Sequence, residues 1–293
     1  MLTPLTADLA PDDVALVRLA RWLLANGCDG LGVLGTTGEA NSFSVEERLA
    51  ITEALVAGGL PMERIIIGTG CCAVPDTVRL TRRALEVGAG GVLVLPPFYY
   101  KGVSDDGLFA AFAETIERVG DSSLRLYLYH FPRMSGIDLP LPLIERLLAA
   151  YPHVVAGTKD SGGDLARIEA TCRAFPGFAV FAGTERYLLA ALRAGGAGCI
   201  SATINVTGRP AAGLVARWRS PEAETLQAHL TELRATIEAF PLVAAVKEIM
   251  ARHTGEDGWR AVRPPLVALP PDQADALVAR LEALGGLDLA PLP

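Results

Sequence analysis

Lysine is nearly absent from this chain. Of 26 basic residues, only Lys101, Lys159 and Lys247 are lysines, and the rest are arginine. There is no run of basic residues, and the formal net charge is −7. That argues against a nucleic-acid partner, because phosphate binding needs clustered Lys and Arg. Long apolar runs are missing too. Segments such as Gly90-Gly91-Val92-Leu93-Val94-Leu95 are far shorter than the ~20 residues that span a bilayer, so no membrane partner is expected. No basic-then-apolar leader precedes the first helical stretch, so no signal peptide is expected. The five cysteines are irregularly placed, with Cys71 and Cys72 adjacent, and make neither a disulfide framework nor a zinc spacing. Free thiols in a reducing cytoplasm are the expectation. The Gly-rich turns lack the G-x-G-x-x-G and Walker patterns, which argues against a nucleotide site. No His/Asp/Glu cluster has ligand spacing, so neither a metal nor a cofactor is expected.

What is present is an apolar chain of 293 residues, 51% hydrophobic and 20% charged. That is enough for a large core and suits a single α/β barrel, which typically runs to ~250 residues. Apolar β-like runs alternate with amphipathic helical runs. The pattern predicts helices near 11–26, 44–58, 75–88, 104–119, 140–150, 163–174 and 184–194. Strands are predicted at 30–34, 64–68, 90–95, 124–129, 153–158, 178–182 and 196–201. These strands are apolar throughout, as parallel strands buried on both faces should be. Ser44 before Val45-Glu46-Glu47 has capping-box spacing, and Pro75-Asp76 and Ser104-Asp105-Asp106 open the next helices. Gly27, Gly88 and Gly195 sit where helices end.

Seven strands, with a stub at Met1-Leu2-Thr3 before Pro4, favour a closed (β/α)8 TIM barrel of class α/β over an open sheet. The stub is too short for a barrel strand, and a first strand truncated by a late start codon is the working hypothesis. From about residue 204 the pattern is helical only, near 206–218, 221–252 (with a break at Phe240-Pro241) and 271–284. The expected organisation is a barrel over 1–203 and a helical extension over 204–293 packed on it.

In a parallel barrel, chemistry sits at the carboxyl ends of the strands. Five segments fall there: Gly35-Thr36-Thr37-Gly38-Glu39, Pro96-Pro97-Phe98-Tyr99-Tyr100, Tyr129-His130-Phe131-Pro132, Lys159, and Gly183-Thr184-Glu185. An amine in an apolar interior loses proton affinity, and a neutral amine can condense with a ketone. Arginine cannot, since it stays protonated. A chain that has replaced lysine almost everywhere yet places Lys159 at a strand end therefore points to Schiff-base chemistry. Hydroxyls and backbone N–H groups on the same rim suit the carboxylate of a 2-oxo acid.

The motifs GTTGE (35–39), YxxP (129–132), GTKDSGGD (157–164), GGAGCIS (195–201) and Arg263-Pro264-Pro265-Leu266 occur in an order that resembles the dihydrodipicolinate synthase / N-acetylneuraminate lyase family of Schiff-base barrel enzymes. The resemblance covers essentially the whole chain. It implies a lyase in which Lys159 forms an imine with pyruvate or another 2-oxo acid, Tyr129 shuttles protons and Thr36 relays them. Thr37 would bind the substrate carboxylate, with Gly35 and Ile200 also lining the substrate. Tyr99, with Tyr100 as a competitor, is similar to the tyrosine that family members insert into a neighbouring subunit's site. The resemblance thus implies self-association as a dimer or a homotetramer.

The chain departs from dihydrodipicolinate synthases where those carry an arginine two residues after the YxxP proline. Met134 stands there, Arg133 lies one residue earlier, and His130 replaces an asparagine. Met134 is closer to sialic-acid lyases and 2-keto-3-deoxy acid aldolases, yet those lyases have serines where Thr36 and Ala202 stand. Arg133, Met134 and Glu185 remain candidates for the second substrate. Read without the resemblance, Tyr129 is a core tyrosine, Glu39 a helix N-terminal acid, and Lys101 and Lys247 solvated or structural. A pyruvate-dependent aldolase or dehydratase is the leading expectation. The alternatives are dihydrodipicolinate synthase proper, or a barrel that binds a 2-oxo acid without turning it over.

Overall fold

The computed structural model describes residues 1–292. In chain order it forms α1 (Asp13–Ala25), β1 (Leu31–Val33), α2 (Val45–Ala57), β2 (Ile65–Gly68), α3 (Val74–Glu86) and β3 (Gly91–Val94). Next come α4 (Asp105–Val119), β4 (Leu126–His130), the short α5 (Pro132–Ser135), α6 (Leu141–Ala150), β5 (Val155–Asp160) and α7 (Leu165–Ala174). Then β6 (Ala179–Ala182), α8 (Leu188–Arg193) and β7 (Gly198–Cys199) precede four helices, α9 (Ile204–Arg217), α10 (Ala223–Glu238), α11 (Leu242–Thr254) and α12 (Pro271–Ala283).

The chain divides into two compact units. The first holds residues 1–60, 184–189 and the chain from 201 onward; the second holds 61–183 and 190–200. In the second unit β2 to β7 pair side by side in chain order, every pair parallel. Their apolar composition follows from burial: β3 is buried at all four positions. Tyr129 shares a buried cluster with Leu93 and Leu95, against which Ile66, Phe98, Tyr127 and Phe131 pack. In the first unit α10 packs on α9, α11 and α12 through Leu230, Leu233 and Ile237. The helical run near 221–252 is indeed broken: α10 ends at Glu238, and Pro241 caps α11. Proline has no N–H and disfavours helical backbone before it, so the ladder cannot run through.

Helix ends follow the sequence signals. Ser44 accepts from Glu47 N while the Glu47 carboxylate accepts from Ser44 N, closing the capping box. Gly27, Gly88 and Gly195 all have positive φ (101°, 73° and 90°), where a side chain would be strained.

Three expectations change. Met1-Leu2-Thr3 is not a strand. The Leu2 N–H is taken by Asn205 Oδ1 at 2.9 Å, and Thr3 Oγ1 donates to Gly38 O at 2.8 Å. Pro4 has no N–H to offer a ladder, so seven strands, not eight, form among the described residues. The strand read at 153–158 runs instead through Lys159 to Asp160, because Tyr129↔Lys159 and His130↔Asp160 extend its pairing. The helix read at 184–194 begins as a 3-10 turn, Glu185–Tyr187.

Candidate active site

In the second unit, parallel pairing of β4 and β5 sets Tyr129 directly beside Lys159. Side chains alternate along a strand, so both point to one face while His130 and Asp160 point to the other. Lys159 Nζ donates to Tyr129 Oη at 3.2 Å, and both residues are buried, at 8% and 4% exposure. Nζ also lies 4.3 Å from the Tyr129 ring centroid. Phe131 stacks on Tyr129, with centroids 5.7 Å apart and ring planes at 27°. A primary amine, a nucleophile once deprotonated, thus sits within proton-transfer reach of a phenol in an apolar shelter. Such a pair can add to a carbonyl carbon and move the protons that addition requires.

The opposite face of the same strands is tied down by charge. Asp160, 3% exposed, accepts from Arg167 Nε on α7 at 2.9 Å and from Gly162 N at 2.9 Å. His130 is also buried, its Nε2 4.0 Å from Asp160 Oδ1 and its Nδ1 3.5 Å from Asp138 Oδ1. Burial lowers the imidazole's proton affinity; Asp160 opposes this, Arg167 adds to it and Asp138 opposes it. Asp160 was noted in the sequence only as part of a motif, and Arg167 not at all. A carboxylate at the end of an apolar run demands a partner, but nothing in the sequence says that Arg167 is that partner.

The other candidates of this unit are dispersed. Tyr99 and Tyr100 are each 74% exposed and meet edge to face, with centroids 5.3 Å apart. Arg133 is exposed on α5, and its neighbour Met134 is 64% exposed. Ile200 donates its N–H to Ala182 O at 2.9 Å and is half-buried. Lys101 bonds the carbonyls of Phe98 and Ser135, a structural use.

In the first unit, Gly35, Thr36 and Thr37 form a half-buried turn closed by Glu39 N→Thr36 O (3.1 Å) and Ala40 N→Gly35 O (3.3 Å). Glu39 is fully buried against Lys247, with Oε1 to Nζ 2.5 Å, so Lys247 is structural rather than solvated. Glu185 is likewise fully buried. Its carboxylate accepts from Ser201, Thr203 and Thr207 and lies 3.5 Å from Arg234 Nη1. The sequence makes Glu185 a candidate contact for the second substrate; with its lone pairs taken and no exposed surface, its geometry is that of a structural anion.

All five cysteines are free. Among the described residues no group of three His, Cys, Asp or Glu could hold a metal ion, and no helix is long and apolar enough to cross a membrane.

The chain matches the model of the dihydrodipicolinate synthetase family over residues 1–284. It belongs to that family. It is 32% identical over 286 residues to an uncharacterized DapA-like lyase of Chloroflexus aurantiacus, a match covering 97% of this chain and 95% of that protein. Among solved structures, dihydrodipicolinate synthase from Agrobacterium tumefaciens str. C58 is 33% identical with a TM-score of 0.91, covering 97% of each chain. YagE, a prophage protein of E. coli K12 in the dihydrodipicolinic acid synthase family, solved in complex with pyruvate, is 28% identical with a TM-score of 0.88. That match covers 99% of this chain and 97% of YagE. The family's fold is therefore this chain's fold: class α/β, a TIM barrel with a C-terminal helical extension, of whose strands seven form among the described residues. As a member of the dihydrodipicolinate synthetase family the chain is a lyase.

Proposed function

We propose that this lyase works through a covalent imine between Lys159 and pyruvate or a closely related 2-oxo acid. The observation that carries the reading is the buried contact of 3.2 Å between Lys159 Nζ and Tyr129 Oη. The neutral amine adds to the ketone carbon, giving a carbinolamine. Loss of the hydroxyl as water then gives the protonated imine, with the Tyr129 phenol passing the protons that this step requires. The cationic imine draws electrons from the neighbouring carbon, which allows a C–C or C–O bond there to be made or broken without a metal or another cofactor. Thr36 is assigned the proton relay to Tyr129, and Thr37 with Gly35 and Ile200 the substrate, all on family likeness.

The exposed Tyr99–Tyr100 pair supports self-association in which one tyrosine completes a neighbour's site. Free thiols fit a reducing, cytoplasmic setting. For the second substrate, exposed Met134 in place of the synthases' arginine favours an aldolase or a 2-keto-3-deoxy acid dehydratase. A second reading, condensation of pyruvate with aspartate semialdehyde, is favoured by exposed Arg133 one residue earlier.

The test is intact mass after incubation with pyruvate and sodium borohydride, beside Lys159→Ala and Lys159→Arg. A reduced adduct on the wild type alone is expected. An adduct that persists in both variants rules out Lys159 as the nucleophile. Aspartate semialdehyde and a panel of 2-keto-3-deoxy acids then separate the two readings.

A further inference from the structure

The turn bearing Thr36 and Thr37 is held in place by side chains that come from the far end of the sequence but belong to the same compact unit. Leu34 (φ 57°) and Glu39 (φ 56°) bracket it, both in left-handed backbone. Residues without glycine's freedom stay there only where surrounding contacts impose it. For Glu39 those contacts are on α11 and the segment after it. Glu39 Oε1 receives Lys247 Nζ at 2.5 Å, and Oε2 receives the Arg263 N–H at 2.8 Å. Lys247, with no exposed surface, donates again to Ala261 O at 2.6 Å. Arg263 extends the clamp along the chain that follows the turn, Nη1 to Ser42 O at 2.8 Å and Nη1 and Nη2 to the Glu47 carboxylate at 3.0 and 2.5 Å, while its Nε reaches Leu9 O, ahead of the turn, at 2.8 Å. Its guanidinium also lies 4.3 Å from the Phe43 ring centroid.

A fully buried ion pair is a poor source of stability, since desolvation offsets most of the attraction. What such a pair does supply is a single geometry. Here that geometry is passed on through the chain, because the bonds Glu39 N→Thr36 O and Ala40 N→Gly35 O tie Glu39 to the residues before it. We infer that Lys247 and Arg263 are positioning residues that set the Gly35–Glu39 turn and, through it, the affinity for the carboxylate of the 2-oxo acid. Neither touches a reacting atom: Lys247 acts through Glu39, and Arg263 acts through Glu39 by its backbone N–H and through Ser42 and Glu47 by its guanidinium. The inference rests on the substrate role proposed for Thr37.

The experiment measures the pyruvate concentration that gives half-maximal borohydride trapping, together with folding by circular dichroism. Lys247→Met alone leaves the Glu39 charge buried and unpaired, so the informative variant is Glu39→Gln/Lys247→Met. It removes both charges and keeps an acceptor for the Arg263 N–H. The double variant is expected to fold, to trap as much pyruvate at saturation as the wild type, and to need roughly tenfold more pyruvate, the cost of weakening one hydrogen bond to a charged group. Arg263→Gln should shift half-saturation in the same direction, and Arg263→Lys, which keeps a charge on Glu47, should recover part of it. A folded double variant with wild-type half-saturation overturns the inference. Should the double variant not fold, the Arg263 pair decides by the same readout. Amide hydrogen exchange gives an answer without ligand: exchange should quicken over 34–44 in these variants and stay unchanged over 126–131 and 155–160. If the wild type itself traps no pyruvate, the functional proposal fails, and unchanged exchange over 34–44 would separately refute the positioning role.

Discussion

Replacing Tyr129 by Phe removes one oxygen and little else, which makes it the sharpest probe of the site. The ring stays in its cluster with Leu93 and Leu95 and keeps its stacking on Phe131. The Lys159 amine loses its partner at 3.2 Å in surroundings where both residues are buried. If the phenol passes protons during imine formation, its loss removes a general acid–base contribution of about 10²–10⁴ in rate. Each decade corresponds to ~1.4 kcal/mol of barrier, so the barrier should rise by roughly 3–5 kcal/mol. Stability should change much less. The lost hydrogen bond is worth ~1.5–3 kcal/mol if the amine is charged, partly offset because a buried polar group goes with it. At ~2–4 °C per kcal/mol for a protein of this size, Tm should fall by only a few degrees. The assay is a time course of borohydride-trapped adduct at saturating pyruvate, read by intact mass. The expected result is a slow approach to the same final extent. Trapping in Tyr129→Phe within threefold of the wild-type rate, with the fold intact, would falsify the proton-transfer role and leave the phenol a structural neighbour.

Three further predictions concern stability. Gly157 lies in β5 where an added Cβ would come 2.3 Å from Ala179 O and 2.8 Å from Tyr127 Cδ1, so Gly157→Ala should cost at least ~1–3 kcal/mol and lower Tm by several degrees; an unchanged melt would mean that β6 yields freely. The Arg263 hydrogen bonds, outweighing burial and helped by Ser44, hold the Glu47 carboxyl at about 2, below its ordinary 4.5. Its stabilisation is therefore complete above the ordinary value and is lost as pH falls towards about 2, so the Tm gap between wild type and Glu47→Gln should narrow from pH 6 to pH 3; a constant gap refutes this. Burial keeps His130 below its ordinary 6.5, so on acidification the unfolded chain takes up the proton first and stability falls below that pH. His130→Asn should flatten the slope of Tm against pH there, and an identical slope would exclude His130 as its source.

Most of the architecture was legible because local signals agreed with one another. Apolar runs of strand length marked the parallel strands, and the Ser44 capping box and the glycines with positive φ marked helix ends. The Phe240-Pro241 break fell where proline chemistry requires it. Residues 1–3 misled because an apolar start before a proline looks like a strand, whereas their hydrogen bonds go to Gly32, Asn205 and Gly38. Lys159 and Tyr129 stood out as residue types at strand ends, but their register across β4 and β5 did not.

The sequence by itself determined the periodicities, the caps, the scarcity of lysine and the motif order that marks the family, because each of these is read along the chain without knowing which distant residues meet. The tertiary structure alone decided which charges meet. Lys247 reads in the sequence as an ordinary helix lysine, yet its partner Glu39 lies 208 residues away. Glu185 reads as a rim carboxylate, yet it is enclosed by Thr203, Thr207 and Arg234. Burial makes such pairings obligatory, since an unpaired charge cannot remain in the interior. Which partner meets the obligation is set by how the chain folds back on itself, and no local pattern records it.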